Sequence, residues 1–315
     1  MEIIKDITKS QWNSTSLTIG KFDGVHKGHQ DLIQKVLQDK TAGYTTTVFT
    51  FDKFPSQLLS HQSSPSIITE EEKQIFLNKL GIERYILFPF HTQTASMQPE
   101  QFVKEILVEC MKVKKIYVGS DFRFGKNRAG DIFLLEKLSK IYGFEFETVE
   151  KRQFQELDIS STRIRECIRQ GQMEEVSKML GRPYNLSGEI IHGNNLGHTI
   201  GIPTINQAFP MGKVMPALGV YCSRVTIDKK VYYGITNIGS KPTVQDYLVY
   251  GIETHLFQCN ENLYGKQATT QLLCFVRPEQ KFSSLHDLMH QLEKDKAFGR
   301  NYINSQVLNE VPERV

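Results

Sequence analysis

Gly20-Lys21-Phe22-Asp23-Gly24-Val25-His26-Lys27-Gly28-His29 joins an apolar run, Leu17–Ile19, to an amphipathic stretch with Leu32, Ile33, Val36 and Leu37 at helical spacing. Two histidines therefore sit at a strand-to-helix turn, with only Lys27 and Gly28 between them. Such a turn gathers the positive end of a helix and backbone N–H groups that have no partner in the helix. Phosphate binds at such places. The alternative is a glycine-rich connection whose histidines are merely solvated.

Working outward, strand-like runs recur at Thr45–Phe51, Tyr85–Phe88, Lys115–Val118 and Phe144–Val149. Helical patterns alternate with them. Thr69 and Glu72 form a capping-box signature for a helix running through Leu80 and closed by Gly81. Pro99 suits a first helical position ahead of Phe102, Val103, Ile106 and Leu107, and a further helix is predicted over Asp131–Tyr142. Alternation of this kind predicts a parallel sheet with helices on both faces. Ligands of such sheets bind at the carboxyl ends of the strands, where the histidine turn lies.

The pattern changes after Leu180-Gly181-Arg182-Pro183, which ends a helix. Strands are predicted at Leu186–Ile191, Val220–Ile227, Val231–Ile235, Ile252–Phe257 and Thr269–Phe275, with Asp228-Lys229-Lys230 as a tight hairpin connection. A late helix carries Leu285, Leu288, Met289 and Leu292 on one face, and the tail after Arg300 is expected to fray. The domains are thus 1–183, an α/β unit with a parallel sheet, and 184–315, a small antiparallel β-barrel with a late helix.

The whole chain sets bounds on function. Its 315 residues are 39% hydrophobic and 23% charged, an ordinary globular balance. A net charge of +3 gives no reason to expect nucleic acid or an anionic membrane as partner, and does not oppose small anionic ligands. Cys110, Cys167, Cys222, Cys259 and Cys274 show no Cys-x-x-Cys spacing, which argues against a disulfide framework or structural zinc. No signal peptide or membrane span is read in the sequence, so a cytoplasmic location is expected.

Two further segments carry chemistry. Val118-Gly119-Ser120-Asp121-Phe122-Arg123-Phe124-Gly125 ends a strand and brings aromatic and cationic side chains beside glycines. It could stack a planar ring and meet phosphate, or Phe122 and Phe124 could simply pack as core. Ser160-Ser161-Thr162-Arg163-Ile164-Arg165 opens a helix with three hydroxyls and two arginines. It either caps that helix or grips a triphosphate. With no P-loop and no nucleophile elbow, the donors point to direct in-line transfer without a covalent enzyme intermediate.

In this order, Gly-x-Phe-Asp-Gly-x-His-x-Gly-His, Val-Gly-x-Asp-Phe-x-Phe-Gly and Ser-Ser-Thr-x-Ile-Arg resemble the adenylyltransferase module of the prokaryotic bifunctional flavokinase/FAD synthetase family. The resemblance spans nearly the whole chain. It implies a Rossmann-like nucleotidyltransferase domain that makes FAD from FMN and ATP with Mg²⁺, releasing pyrophosphate. By position, His26 and His29 would contact the ATP phosphates. Ser160, Ser161, Thr162, Arg163 and Arg165 would hold the triphosphate and leaving pyrophosphate, with Arg165 counted as catalytic beside the histidines. Gly20, Phe22, Asp23 and Gly24 would shape the nucleotide pocket, and Asp121, Phe122 and Arg123 would lie beside adenine or flavin. Phe54 stands where the family often has a histidine near the flavin, and Lys21 replaces a smaller residue.

The second half resembles the flavokinase module. Gly193, Gly197 and Gly201 match its glycine loop, a candidate lid, and Pro203-Thr204-Ile205-Asn206 its Pro-Thr-Ala-Asn motif. The resemblance gives Thr204 and Asn206 to Mg²⁺ and the ATP phosphates, Asn237 to the flavin, and Glu253 the role of base toward the riboflavin 5′-hydroxyl. Departures gather here. Ile205 replaces alanine beside the metal pair, His198 stands where a fixed cation is common, and Gln207 and Leu218 depart in polarity. Four readings stay open on sequence. They are a bifunctional enzyme, an FMN adenylyltransferase with a silent kinase-like module, a non-catalytic flavin-binding regulator, and a different nucleotidyltransferase, which would leave the second half unexplained. ATP, FMN and riboflavin are the expected small-molecule partners.

Overall fold

Strand β2 (Thr15–Ile19) is buried at all five positions, the mark of a strand covered on both faces. It lies inside a six-stranded, all-parallel sheet with β1 (Glu2–Ile4), β3 (Thr45–Phe51), β4 (Arg84–Phe88), β5 (Val113–Gly119) and β6 (Glu145–Val149), in the order β1-β4-β3-β2-β5-β6. The computed structural model describes residues 1–52, 65–192, 203–242, 248–259 and 261–309. Its contacts divide into two units, Met1–Ser161 and Thr162–Val315.

In the first unit the chain leaves β2 toward β3 on one side and later returns to β5 on the other. The strand order reverses there, which opens a crevice at the carboxyl end of β2. The α1 helix (Lys27–Gln38) buries Leu32, Ile33 and Val36 against one face, as its spacing requires. Each such side chain removed from water contributes about 1.5–3 kcal/mol. In α2 (Glu70–Leu80) both hydrogen bonds of the predicted capping box form, and Gly81 ends the helix at φ 95°. The α3 helix (Ile132–Tyr142) is capped by Asp131. Pro99 starts a helix as expected, but from Phe102 to Cys110 the winding is π-helical, which no residue type announces. Edge strand β1 was not foreseen, since three residues with one buried side chain carry too little pattern. A small hairpin, β7 (Gln153–Phe154) with β8 (Leu157–Asp158), precedes the helix α4 (Ser161–Arg169).

The second unit contains α5 (Met173–Leu180) and six strands: β9 (Tyr184–Glu189), β10 (Ile205–Ala208), β11 (Gly219–Ile227), β12 (Lys230–Pro242), β13 (Leu248–Leu256) and β14 (Gln267–Pro278). They form one antiparallel sheet in the order β10-β13-β12-β11-β14-β9. Asp228 and Lys229 make the predicted two-residue hairpin turn, with φ 48° and 68°. The sheet curls until its edges meet, where the Ile191 N–H donates to the Asn206 carbonyl at 2.8 Å. Gln207 fastens the same seam. Its Nε2 donates to the carbonyls of Gly188 (3.0 Å) and Ala268 (2.9 Å), and its Oε1 accepts from the Thr270 hydroxyl (2.7 Å). A buried amide so fully paired explains a polar residue where an apolar one was expected.

The tail departs from expectation. Rather than fraying after Arg300, it continues a helix, α6, over Leu285–Asn309. Ile303 is buried there, and Tyr302 packs against Val220, Cys222, Ile235 and Cys274. The helix is anchored further back by Arg277 of β14, whose guanidinium holds the buried Asp295 at 2.7 Å. All five cysteines are free. Among the described residues no helix is long and apolar enough to cross a membrane.

Candidate active sites

In the first unit, the turn after β2 is built from left-handed backbone. Phe22 has φ 49°, Gly24 φ 82° and Val25 φ 40°. Such a conformation costs a β-branched residue on the order of 1–3 kcal/mol, and full burial of Phe22 and Val25 in the core holds it in place. The turn delivers His26 as the N-cap of α1, its Nδ1 accepting the His29 N–H at 3.3 Å. That bond assigns the proton of a neutral His26 to Nε2. The two imidazoles stack, centroids 3.6 Å apart and 18° from parallel, and Phe22 lies 5.1 Å from the His29 ring. Burial, then the neighbouring His26 and Lys73, pushes the His29 pKa well below its ordinary 6.5, so this imidazole is neutral near pH 7. Its Nδ1 is buried with no hydrogen-bond partner among the described residues.

Gly20, Phe22, His26, His29, Asp121, Phe122, Arg123, Ser160 and Ser161 all line one cavity of about 530 Å³. Three segments distant in sequence thus converge on one space. Asp23 and Gly24 are buried outside that lining. Asp23 instead ties the turn to two other loops. Its Oδ1 accepts the Ile67 N–H and its carbonyl accepts the Ser161 hydroxyl, both at 2.9 Å. Thr162, Arg163 and Arg165 continue α4, Arg165 one turn beyond Ser161. Phe54 lies outside the described residues.

The cavity has an aromatic side and a cationic side. Phe122 stacks on Phe124 at 5.5 Å, and Phe51 meets Phe90 edge-on at 5.3 Å. Lys21, Arg128, Lys151 and Arg152 add positive charge, of which sequence reasoning passed over Lys151 and Arg152. Asp121 pairs with Lys151 at 2.9 Å, raising that lysine's pKa, and Arg123 pairs with Asp131 at 3.0 Å. The signal for Lys151 and Arg152 was a basic pair just after a strand end, at the ligand-binding edge of the sheet.

In the second unit, Asn206, Glu253 and Asn237 lie abreast on three adjacent strands, Glu253 of β13 opposite Asn206 of β10 on one side and Asn237 of β12 on the other. Thr204, Asn237 and Glu253 line a cavity of about 330 Å³ together with His255, Arg277 and Glu279, which the sequence did not single out. Thr204 also lines a second cavity of about 340 Å³, beside Pro203, Glu261 and Tyr264. Ile205 lies on the opposite face of β10 from Asn206, as strand alternation requires. It is buried with Ile190, Val225, Ile227 and Leu256. Its extra bulk is therefore mainly core, although its edge also lines the 340 Å³ cavity beside Thr204. Gly193, Gly197, His198 and Gly201 lie outside the described residues.

Among the described residues no cluster of three or more His, Cys, Asp or Glu could cage a metal ion. A threonine hydroxyl and an asparagine amide beside a carboxylate are hard oxygen donors. That set fits Mg²⁺, which keeps most of its waters and takes few protein ligands.

A family model described as FAD synthetase matches residues 8–163, and one described as riboflavin kinase matches residues 180–303. Bifunctional riboflavin kinase/FMN adenylyltransferases align along both units. That of Escherichia coli K12 is 33% identical over 95% of this chain and 96% of its own length. That of Listeria monocytogenes is 35% identical over 92% and 93%, and that of Bacillus subtilis 33% identical over 95% and 96%. A crystal structure described as a macrolide-efflux protein from Streptococcus pneumoniae superposes with a TM-score of 0.86, at 31% identity, over 95% of this chain and 98% of that one.

Proposed function

The chain belongs to the bifunctional riboflavin kinase/FMN adenylyltransferase family and converts riboflavin to FMN and FMN to FAD, and from that premise we propose which of its residues carry each step. The efflux description of the Streptococcus structure is not carried over, because both family matches and the three bifunctional relatives agree on flavin chemistry. ATP is a substrate of both steps, which suits a cytoplasmic location. The functional boundary is placed at 183/184, just after the helix-ending Gly-Arg-Pro.

In the adenylyl transfer a phosphate oxygen of FMN attacks the α-phosphorus of ATP. The bond to the bridging α–β oxygen breaks and pyrophosphate leaves. No proton need be removed from the nucleophile, so the protein's task is to orient two anions and stabilise the charge between them. His26 and His29 serve as donors against the α-phosphate, His29 as a neutral imidazole. Ser160, Ser161 and Thr162, with Arg163 and Arg165, hold the triphosphate and the departing pyrophosphate. Gly20 and Phe22 shape the nucleotide pocket, Asp23 and Gly24 fix the turn, and Phe122 gives a planar ring a stacking surface beside Asp121 and Arg123. The observation that carries this reading is the convergence of both histidines with Ser160, Ser161 and Phe122 on one cavity.

In the second unit Glu253 takes the proton of the riboflavin 5′-hydroxyl. The alkoxide oxygen bonds to the γ-phosphorus of ATP while the bond to ADP breaks. The flavin fills the cavity of Asn237 and Glu253, and the nucleotide fills the one beside Tyr264, with Gly193 and Gly197 assigned to ATP by the resemblance alone. Thr204 stands on the wall common to both, where the phosphoryl group must pass. Thr204 and Asn206 would hold Mg²⁺, which when bound neutralises charge on the transferred phosphate.

Two assays test the proposal. With FMN and Mg-ATP the protein should release FAD and pyrophosphate. With riboflavin and Mg-ATP it should accumulate FMN and ADP before FAD. No FAD at micromolar enzyme rejects the first assignment, and no FMN rejects the second.

A further inference from the structure

His255 follows Glu253 by two residues on the same face of β13, since alternate residues of a strand share a face, and both line the 330 Å³ cavity together with residues of α6. Its Nδ1 lies 3.0 Å from the carbonyl oxygen of Pro203. A carbonyl can only accept, so the ring proton sits on Nδ1 and Nε2 is left as an acceptor. Burial, helped by Lys296 and Arg300 of α6 and opposed by the Pro203 carbonyl and by Glu293, pushes the imidazole's pKa down, in keeping with a neutral ring.

Pro203 has no N–H and stands immediately before Thr204. The ladder between β10 and β13 begins only at Ile205, opposite Thr254. Thr204 therefore lies just beyond the hydrogen-bonded register that fixes Asn206 against Glu253. The bond from His255 reaches across the strands to the peptide that ends at Thr204, and so continues the strand pairing by one side chain.

We infer that His255 is a positioning residue for riboflavin phosphorylation: by holding the Pro203 carbonyl it fixes Thr204 on the strand face that Asn206 shares, across from its own strand position and next to the Asn206–Glu253 pair, in the geometry that binds the metal–phosphate group. This rests on the assignment of Thr204 and Asn206 to Mg²⁺. Groups that orient metal ligands from behind typically change metal affinity or activity about 10- to 100-fold when removed.

The test uses the full-length protein. In His255→Ala the Mg²⁺ concentration giving half-maximal riboflavin phosphorylation should rise about 10- to 100-fold, while FMN adenylylation by the same sample keeps its rate and Mg²⁺ requirement. His255→Asn, whose amide N–H can occupy the place of Nδ1–H, should recover most of the loss, and His255→Gln, with its longer reach, less. Nitrogen-15 NMR of labelled histidines gives a readout independent of turnover. One of the nine imidazoles, identified by its absence in His255→Asn, should be neutral and protonated at Nδ1. An Nε2-protonated ring, an unchanged Mg²⁺ requirement in His255→Ala, or an Asn variant as impaired as the Ala variant would each overturn the inference. Thr204→Ala separates it from the assignment beneath it. If that variant leaves the Mg²⁺ requirement unchanged, the metal pair is wrong, whatever the His255 ring shows.

Discussion

The His26 imidazole lies 3.6 Å from that of His29, nearly parallel to it, and accepts the His29 backbone N–H at its Nδ1. One histidine thus caps the helix that carries the other and has its tautomer set by doing so. Both rings reach the first cavity from a turn whose strain is absorbed by a buried core.

Replacing His29 by alanine removes a donor aimed at developing charge. FAD formation from FMN should fall by about a hundredfold to a thousandfold, with riboflavin phosphorylation unchanged. Pyrophosphate release with FMN, set against ADP release with riboflavin, measures both on one sample.

The depressed pKa of His29 also makes a stability prediction. Between its folded value and 6.5, the unfolded chain binds more protons at this site than the folded one does. Stability therefore rises with pH across that window and is lost as pH falls through 6.5 toward the folded value. Above 6.5 the contribution is constant. Calorimetric melts from about pH 8 down to pH 5 should show this loss in the parent and a smaller one in His29→Gln.

Glu253→Gln keeps the size of the side chain and removes the carboxylate proposed as the base. Riboflavin phosphorylation should drop by roughly a hundredfold to ten-thousandfold, while FMN adenylylation is untouched. Steady-state assays with each flavin separate the two. Equal losses in both would count against the assignment.

Ile205→Ala restores the small residue of the flavokinase motif but empties a core position. The second unit should lose about 2–5 kcal/mol, read as a lower transition in denaturant unfolding. Below that transition, riboflavin phosphorylation should keep its Mg²⁺ requirement, while the KM for ATP shifts because Ile205 also lines the 340 Å³ cavity. A faster kinase would mean that the isoleucine does crowd the metal pair.

Gln207→Ala strips the Thr270 hydroxyl and two carbonyls of a buried partner. A cost of about 1–3 kcal/mol is expected, again in the unfolding of the second unit and not in the turnover of the first.

Legibility in the sequence followed the physics of each signal. The capping box at Thr69, the hairpin at Asp228 and the alternation of strand and helix are local and repetitive, and all appear as read. Strand β10 was hidden because a glycine-rich approach ran straight into four residues, one of them the polar Gln207. The tail helix was hidden because the partners of Tyr302 lie far away in sequence. At the sites, both histidines, Ser160, Ser161 and Phe122 share one cavity lining, while Asp23, Gly24, Thr162, Arg163, Arg165 and Asn206 are in none of the three linings described. Missing were residues that reach a cavity only through folding, among them Lys151, Arg152, His255 and Arg277, whose surroundings no short spacing encodes.

Asp23 grips Ile67 with its carboxylate and Ser161 with its carbonyl. Two distant stretches of chain are thereby tied to the turn that leads into His26. The separation between the imidazoles and the hydroxyls at the start of α4 thus hangs on one peptide carbonyl, and an exchange of the Asp23 side chain would loosen the Ile67 stretch while leaving the Ser161 bond in place.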